Sequence, residues 1–185
     1  MKKLAILASG TGTNAERITQ YFAEKKTAEV ALIVTNKEGA GVIERAEKLN
    51  VPCLVIPSKD FKEGKALEVL CQYGVDFIVL AGFLLRVPDD ILHNYPNRIV
   101  NIHPSLLPKY GGKGMYGHHV HEAVLAAGET ESGITIHYIN EHYDEGNVIL
   151  QMKCPVIPDD TPDTLASRVH LLEYEHYPKV IERLI

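Results

Sequence analysis

The sequence has little cysteine, no basic excess and no long hydrophobic run, and each shortage removes a class of protein. Its three cysteines, Cys53, Cys71 and Cys154, are widely separated. An odd, scattered set offers no disulfide framework and suits a reducing compartment, so a cytoplasmic protein is expected. Neither a C-x-x-C nor an H-E-x-x-H spacing occurs, so no metal is expected, even though His118, His119 and His121 crowd into one stretch. Nineteen Lys and Arg against twenty-four Asp and Glu give a net charge of -5, which argues against a nucleic-acid partner. The apolar run Leu4 to Ala8 follows a charged start but falls well short of a signal core or the roughly 20 residues of a membrane span, so no membrane partner is expected. Repeats, linkers and low-complexity segments are absent as well.

What remains has the composition of a folded globular chain: 45% hydrophobic and 23% charged residues over a length of 185, enough for one sizeable core and too short for two. A single domain over residues 1–185 is expected. Short apolar runs at Leu4 to Ala8, Val30 to Val34, Cys53 to Ile56, Phe77 to Ala81 and Ile99 to Ile102 read as strands buried on both faces. Helical patterns fall at Ala15 to Glu24, Gly41 to Leu49, Lys65 to Tyr73 and Asp89 to Asn94. This alternation predicts an α/β fold with a doubly wound, mostly parallel sheet. A further helix is expected from His118 to Ala127. Gly133 to Tyr138 and Val148 to Met152 then suggest an antiparallel hairpin extending the sheet, and Thr161-Pro162 opens a C-terminal helix.

Chemistry concentrates where strands end. In Asn101-Ile102-His103-Pro104-Ser105-Leu106-Leu107-Pro108, an amide and an imidazole alternate along a strand and so project from the same side. The prolines then end regular pairing. Ser9-Gly10-Thr11-Gly12-Thr13-Asn14 lies between a strand and a helix, where backbone amides attract anions. Its glycines fit the loose dinucleotide fingerprint, but Val34-Thr35-Asn36 supplies no carboxylate for a ribose at the end of the second strand. The loop therefore reads as a cradle for one phosphate, with Thr13 and Asn14 adding side-chain donors. Asp144, in the acidic hairpin Asn140 to Asn147, would raise the pKa of His103 if the two met, giving a cationic ring beside a neutral amide. Ser105, His103 and Asp144 also supply the residue types of a serine hydrolase, but no G-x-S-x-G elbow is present. Direct acyl transfer between two bound molecules suits Asn, His and Asp best. A phosphate-ligand binding module remains the non-catalytic alternative.

The S-G-x-G-x-N loop, Leu80-Ala81-Gly82-Phe83, the N-I-H-P-S-L-L-P run and the later aspartate together resemble the folate-dependent formyltransferase family over essentially the whole chain. The resemblance implies a Rossmann-like formyltransferase fold and 10-formyltetrahydrofolate as co-substrate. The short chain has no room for the additional tRNA-binding or regulatory domains of some relatives, so 5'-phosphoribosylglycinamide is the expected acceptor, with another amine, such as an amino sugar nucleotide, the alternative. By the same resemblance, Asn101, His103 and Asp144 are catalytic, and Gly12, Thr13, Asn14, His170 and Glu173 hold the acceptor's phosphate and ribose. Leu84, Leu85, Arg86, Val87, Asn101, Asn140 and Asp144 line the folate. His119 and His121 match histidines near the site. Two departures stand out: Tyr110 to His119 is longer and richer in glycine than the family stretch, and Lys62 or Lys65 replaces an arginine near the folate tail.

Overall fold

The computed structural model describes residues 1–185. Seven strands form one sheet in the order β3-β2-β1-β4-β5-β6-β7. The first five, β1 (Lys2–Leu7), β2 (Ala28–Thr35), β3 (Cys53–Val55), β4 (Phe77–Leu80) and β5 (Ile99–His103), run parallel. β6 (Glu131–Tyr138) and β7 (Val148–Pro155) continue the sheet antiparallel. Seven helices complete the fold: α1 (Thr13–Lys25), α2 (Gly41–Lys48), α3 (Ser58–Lys62), α4 (Lys65–Gln72), α5 (Asp89–Asn94), α6 (His118–Ala126) and α7 (Pro162–Leu184). No helix is long and apolar enough to cross a membrane.

Alternation along β1 shows why the runs are continuously apolar. Leu4 and Ile6 pack into a core shared with Ile18 of α1, Val42 of α2, Val124 of α6 and Val169 of α7. Ala5 and Leu7 face the opposite core, with Phe61 of α3, Leu70 of α4 and Ile91 of α5. With both faces covered, β1 from Leu4 to Leu7 and all of β4 carry only apolar side chains. The chain winds outward from β1 through β2 to β3, then returns to place β4 on the other side of β1. Reversal of this kind opens a crevice at the strand carboxyl ends.

α7 closes one wall of that crevice. Thr161 caps it through a reciprocal hydrogen-bond pair with Thr164, and Pro162 opens the first turn. Deep on its inner face, Tyr177 is fully buried, and its hydroxyl donates to the Leu80 carbonyl at 2.8 Å and lies 3.2 Å from that of Val100. The helix thereby grips β4 and β5 immediately before the polar residues of β5.

Candidate active site

The crevice is a cleft of about 600 Å³. Gly10 to Asn14 after β1, Leu80 to Val87 after β4, Asn101 to Pro104 from β5, and Asn140, Asp144, His170 and Glu173 all line it. The structure thus gathers every residue assigned to the acceptor, the folate or catalysis around one cavity.

At its centre, His103 is buried and lies with Nε2 2.7 Å from the Tyr110 carbonyl and Nδ1 3.6 Å from Asp144 Oδ2. A carbonyl only accepts, so Nε2 carries a hydrogen, and Nδ1 is the bare nitrogen of the neutral ring. Burial lowers the pKa of His103, and His137 adds to the effect; the Asp144 charge and the Tyr110 carbonyl pull upward without prevailing. Asp144 raises the His103 pKa as expected, but the net direction corrects the expectation of a cationic ring: desolvation outweighs the carboxylate. Burial also pushes the Asp144 carboxyl up, but His137, His103 and the Gly112 N–H together hold it below its ordinary range.

The glycine-rich segment fastens this pair. Tyr110 supplies its carbonyl to His103, and Gly112 donates its N–H to Asp144 Oδ2 at 2.9 Å. A Cβ on Gly111 would stand 2.5 Å from the end of the Leu107 side chain, which would have to shift, and in ordinary contact with Asp144 at 3.4 Å. Ser105 is buried, with its hydroxyl donating to the Lys109 carbonyl at 2.7 Å. It shapes the turn and is not poised as a nucleophile.

The acceptor end is built from backbone. Gly12, with φ of 77°, precedes α1, so the free amides of the first helical turn face the cleft. Ser9 ties this loop to its neighbours, its hydroxyl donating to Asn36 at 2.5 Å and accepting from the Leu84 N–H at 2.9 Å. Arg45 donates to the Thr11 carbonyl and pairs with Glu16, bracing the loop from behind. Asn14 lines the cleft and commits one N–H of its Nδ2 to Glu173 Oε2 at 2.8 Å, which leaves the second N–H. Its Oδ1, like Nδ1 of His121, is buried without a partner. Both residues line the cleft, and such orphaned atoms are what an occupant would satisfy.

Glu173 is buried, and desolvation raises its pKa to about 7 against the opposing Asn14 hydrogen bond. Its folded pKa exceeds the model-peptide value near 4.3, so folding takes up protons between the two. The stability it contributes is complete below that lower value and lost as pH rises through about 7. The buried histidines titrate with the opposite sign, so the Glu173 contribution is read by difference: from pH 5 to pH 8 the melting temperature of Glu173→Gln should rise relative to the unmutated protein, and a constant difference in calorimetry would remove Glu173 as a source of pH dependence.

Burial also lowers the pKa of His170 and takes that of His121 down to about 4, the latter aided by neighbouring histidines. The three histidines of α6 do not assemble as a ligand set. His118 pairs with Asp163, His119 stacks edge-on against Tyr116, and His121 alone turns to the cleft. Neither Lys62 nor Lys65 lines the cleft, and Lys65 pairs with Asp60 at 3.0 Å. Arg86 does line it, braced by Asp89 at 2.6 Å and by the Glu141 carbonyl.

Sequence reasoning misses His137, which sits opposite Asn101 in the β5–β6 register and is fully buried. Its Nε2 lies 3.2 Å from Asn101 Nδ2 and 3.6 Å from Asp144 Oδ1. The alternation Thr135-Ile136-His137 marks it as sharing a polar face with Thr135, but only strand register shows what it meets.

Comparison with known proteins places this geometry in context. A family model described as formyl transferase matches residues 2–181. The Arabidopsis thaliana protein named phosphoribosylglycinamide formyltransferase, chloroplastic, is 43% identical over 97% of the chain and 64% of its own length. A Bacillus subtilis phosphoribosylglycinamide formyltransferase is 38% identical over 100% of the chain and 95% of its own length. The crystal structure of glycinamide ribonucleotide transformylase 1 from Symbiobacterium toebii superposes with a TM-score of 0.91 at 33% identity, covering 98% of this chain and 86% of that one. The chain spans only 64% and 61% of the two plant relatives it matches.

Proposed function

The chain belongs to the formyl transferase family, and from that premise we propose that it transfers the formyl group of 10-formyltetrahydrofolate to the primary amine of 5'-phosphoribosylglycinamide, a step of purine biosynthesis. The observation that carries this reading is a single cleft in which Asn101, His103 and Asp144 share walls with an amide-rich loop and the apolar segment Leu84 to Val87. The loop suits a phosphate. The apolar segment suits a flat pterin ring, and Arg86 at its end suits the carboxylates of the folate tail.

The acceptor nitrogen attacks the formyl carbon, forming a C–N bond and a tetrahedral oxyanion. Asn101 donates an N–H to that oxygen. Nδ1 of His103, bare in the resting ring, takes the proton that the attacking nitrogen sheds. The imidazolium so formed lies beside both the Asp144 carboxylate and the oxyanion, which favour its charge. Asp144 therefore acts once the proton arrives, although its charge alone does not outweigh the burial of His103. The proton then passes to N10 of the folate as the C–N10 bond breaks, the carbonyl re-forms, and a formamide and tetrahydrofolate remain. Holding both substrates in one cleft supplies much of the rate.

Purified protein should consume 10-formyltetrahydrofolate with 5'-phosphoribosylglycinamide and not with an amino sugar nucleotide; the opposite preference would sink the acceptor assignment. Asn101→Ala should lower kcat by about 10²- to 10³-fold while leaving both KM values within about threefold, because its amide acts on charge that exists only in the transition state. A rise in KM at unchanged kcat would instead make Asn101 a binding residue.

A further inference from the structure

Asn101 can serve an oxyanion only if its amide faces the correct way. The nitrogen and oxygen of a side-chain amide are close to the same size, so packing alone barely distinguishes the two orientations. A reversed amide would present its oxygen to the developing negative charge. Something has to choose between them.

We propose that His137 is the positioning residue that makes this choice. Its Nδ1 lies 2.9 Å from the Tyr138 carbonyl, which can only accept, so Nδ1 carries a hydrogen. The neutral ring then has a lone pair at Nε2, and Nε2 needs a donor. Asn101 Nδ2 is 3.2 Å away, whereas Asp144 Oδ1, at 3.6 Å, has no hydrogen to give and is served only by the protonated ring, whose charge is what lowers the Asp144 pKa. Only the amide nitrogen satisfies the ring. One N–H of Asn101 is thereby committed to His137, which fixes the plane of the amide and leaves its second N–H for the cleft.

The surroundings make this constraint firm. His137 is fully buried, so water does not compete for Nε2. Its backbone is locked directly opposite Asn101 by the antiparallel pairing of β5 and β6. A ring with hydrogen on Nε2 would call for the opposite arrangement, turning the Asn101 oxygen toward itself. The tautomer of one buried histidine, set by a carbonyl next to it in the chain, thus decides what a catalytic amide offers the substrate. Supporting contacts of this kind are worth about 10- to 100-fold in activity in the well-studied case of metal-site ligands, and an amide that must be held one way round should cost a similar factor when released.

This inference rests on the formyl-transfer reading, and its test separates the two. In ligand-free protein with ¹⁵N-labelled histidine, the His137 ring should show a protonated Nδ1 and a bare Nε2, whether or not the enzyme turns over. Hydrogen on Nε2 would overturn the proposal. In the assay, His137→Phe, which keeps a ring but no acceptor, should lower kcat by about 10- to 100-fold with both KM values little changed. His137→Gln can place an oxygen near the Nε2 position and should recover most of that loss, whereas His137→Asn reaches only the Nδ1 position and should not. If the phenylalanine variant folds poorly, the glutamine and asparagine pair carries the same comparison. In an Asn101→Ala background, replacing His137 should cost nothing further; additive losses would show that His137 does not act through Asn101. Failure of the wild-type protein to transfer formyl groups would count against the function while leaving the ring measurement to decide the hydrogen bond.

Discussion

His103→Ala is expected to reduce kcat for formyl transfer by about 10³- to 10⁴-fold, at the upper end of what a positioned acid–base group contributes, because the ring both moves the proton and neutralises the oxyanion. Folate affinity should change by less than about threefold, since Leu84 to Val87 and Arg86 form a separate wall of the cleft. Asp144→Asn should cost a comparable factor, and combining the two should cost little more than either alone, as for residues that act as a unit. The pH profile gives a signed check. Burial holds the His103 pKa below 6.5, so the acidic limb of kcat/KM should lie below pH 6.5. Asp144 is the neighbour whose charge raises that pKa, so in the residual activity of Asp144→Asn the limb should move to still lower pH. Stopped-flow turnover across pH would measure both effects; a variant lacking His103 that keeps a tenth of native kcat would end the proposed proton route.

Gly12→Ala should damage acceptor binding more than any other single methyl group placed around the cleft. Gly12 has φ of 77°, and a Cβ there would lie 2.5 Å from the Val42 side chain and 2.7 Å from its Cα. A left-handed non-glycine residue costs about 1–3 kcal/mol before the clash is counted, so the loop will shift instead of accepting the methyl group. Any shift turns the first amides of α1 away from the phosphate. An affinity loss of about 100-fold for the phosphorylated acceptor is expected, equivalent to about 2.7 kcal/mol, with folate affinity nearly unchanged. Titration calorimetry with each ligand separately distinguishes this from general damage, in which both affinities would fall together. Equal losses would mean that Gly12 supports the fold and not a phosphate.

The central strands were legible because burial on both faces writes itself into the sequence: Leu4 to Leu7 and Phe77 to Leu80 contain no polar residue to confuse the reading. The short helix α3 was not, since its five residues bury only Phe61 and carry no periodic stripe. Asn101, His103, Glu173 and the amide loop announced themselves through motifs or resemblance. What those could not convey was three-dimensional. The sign of the His103 shift depends on how completely the ring is covered, which a neighbouring carboxylate in the sequence does not reveal. His137 meets Asn101 through strand register, and Asn14 commits one N–H to a carboxylate 159 positions away. Nor does the sequence show that Lys62 and Lys65 stay outside the cleft lining, with Lys65 paired to Asp60, while Arg86 lines it.

Tyr110 and Gly112 hold His103 and Asp144 by main-chain atoms alone, a carbonyl for one and an N–H for the other. Both tethers lie in one surface loop, outside the sheet and helices that carry the core. Opening this loop would break both tethers without breaking any backbone pairing of β1 to β7, a local and not a global unfolding. Warming should release both side chains before the sheet unfolds, and a small molecule that captured Tyr110 to Gly112 in another shape would free His103 and Asp144 together while reshaping the cleft that Gly112 itself lines.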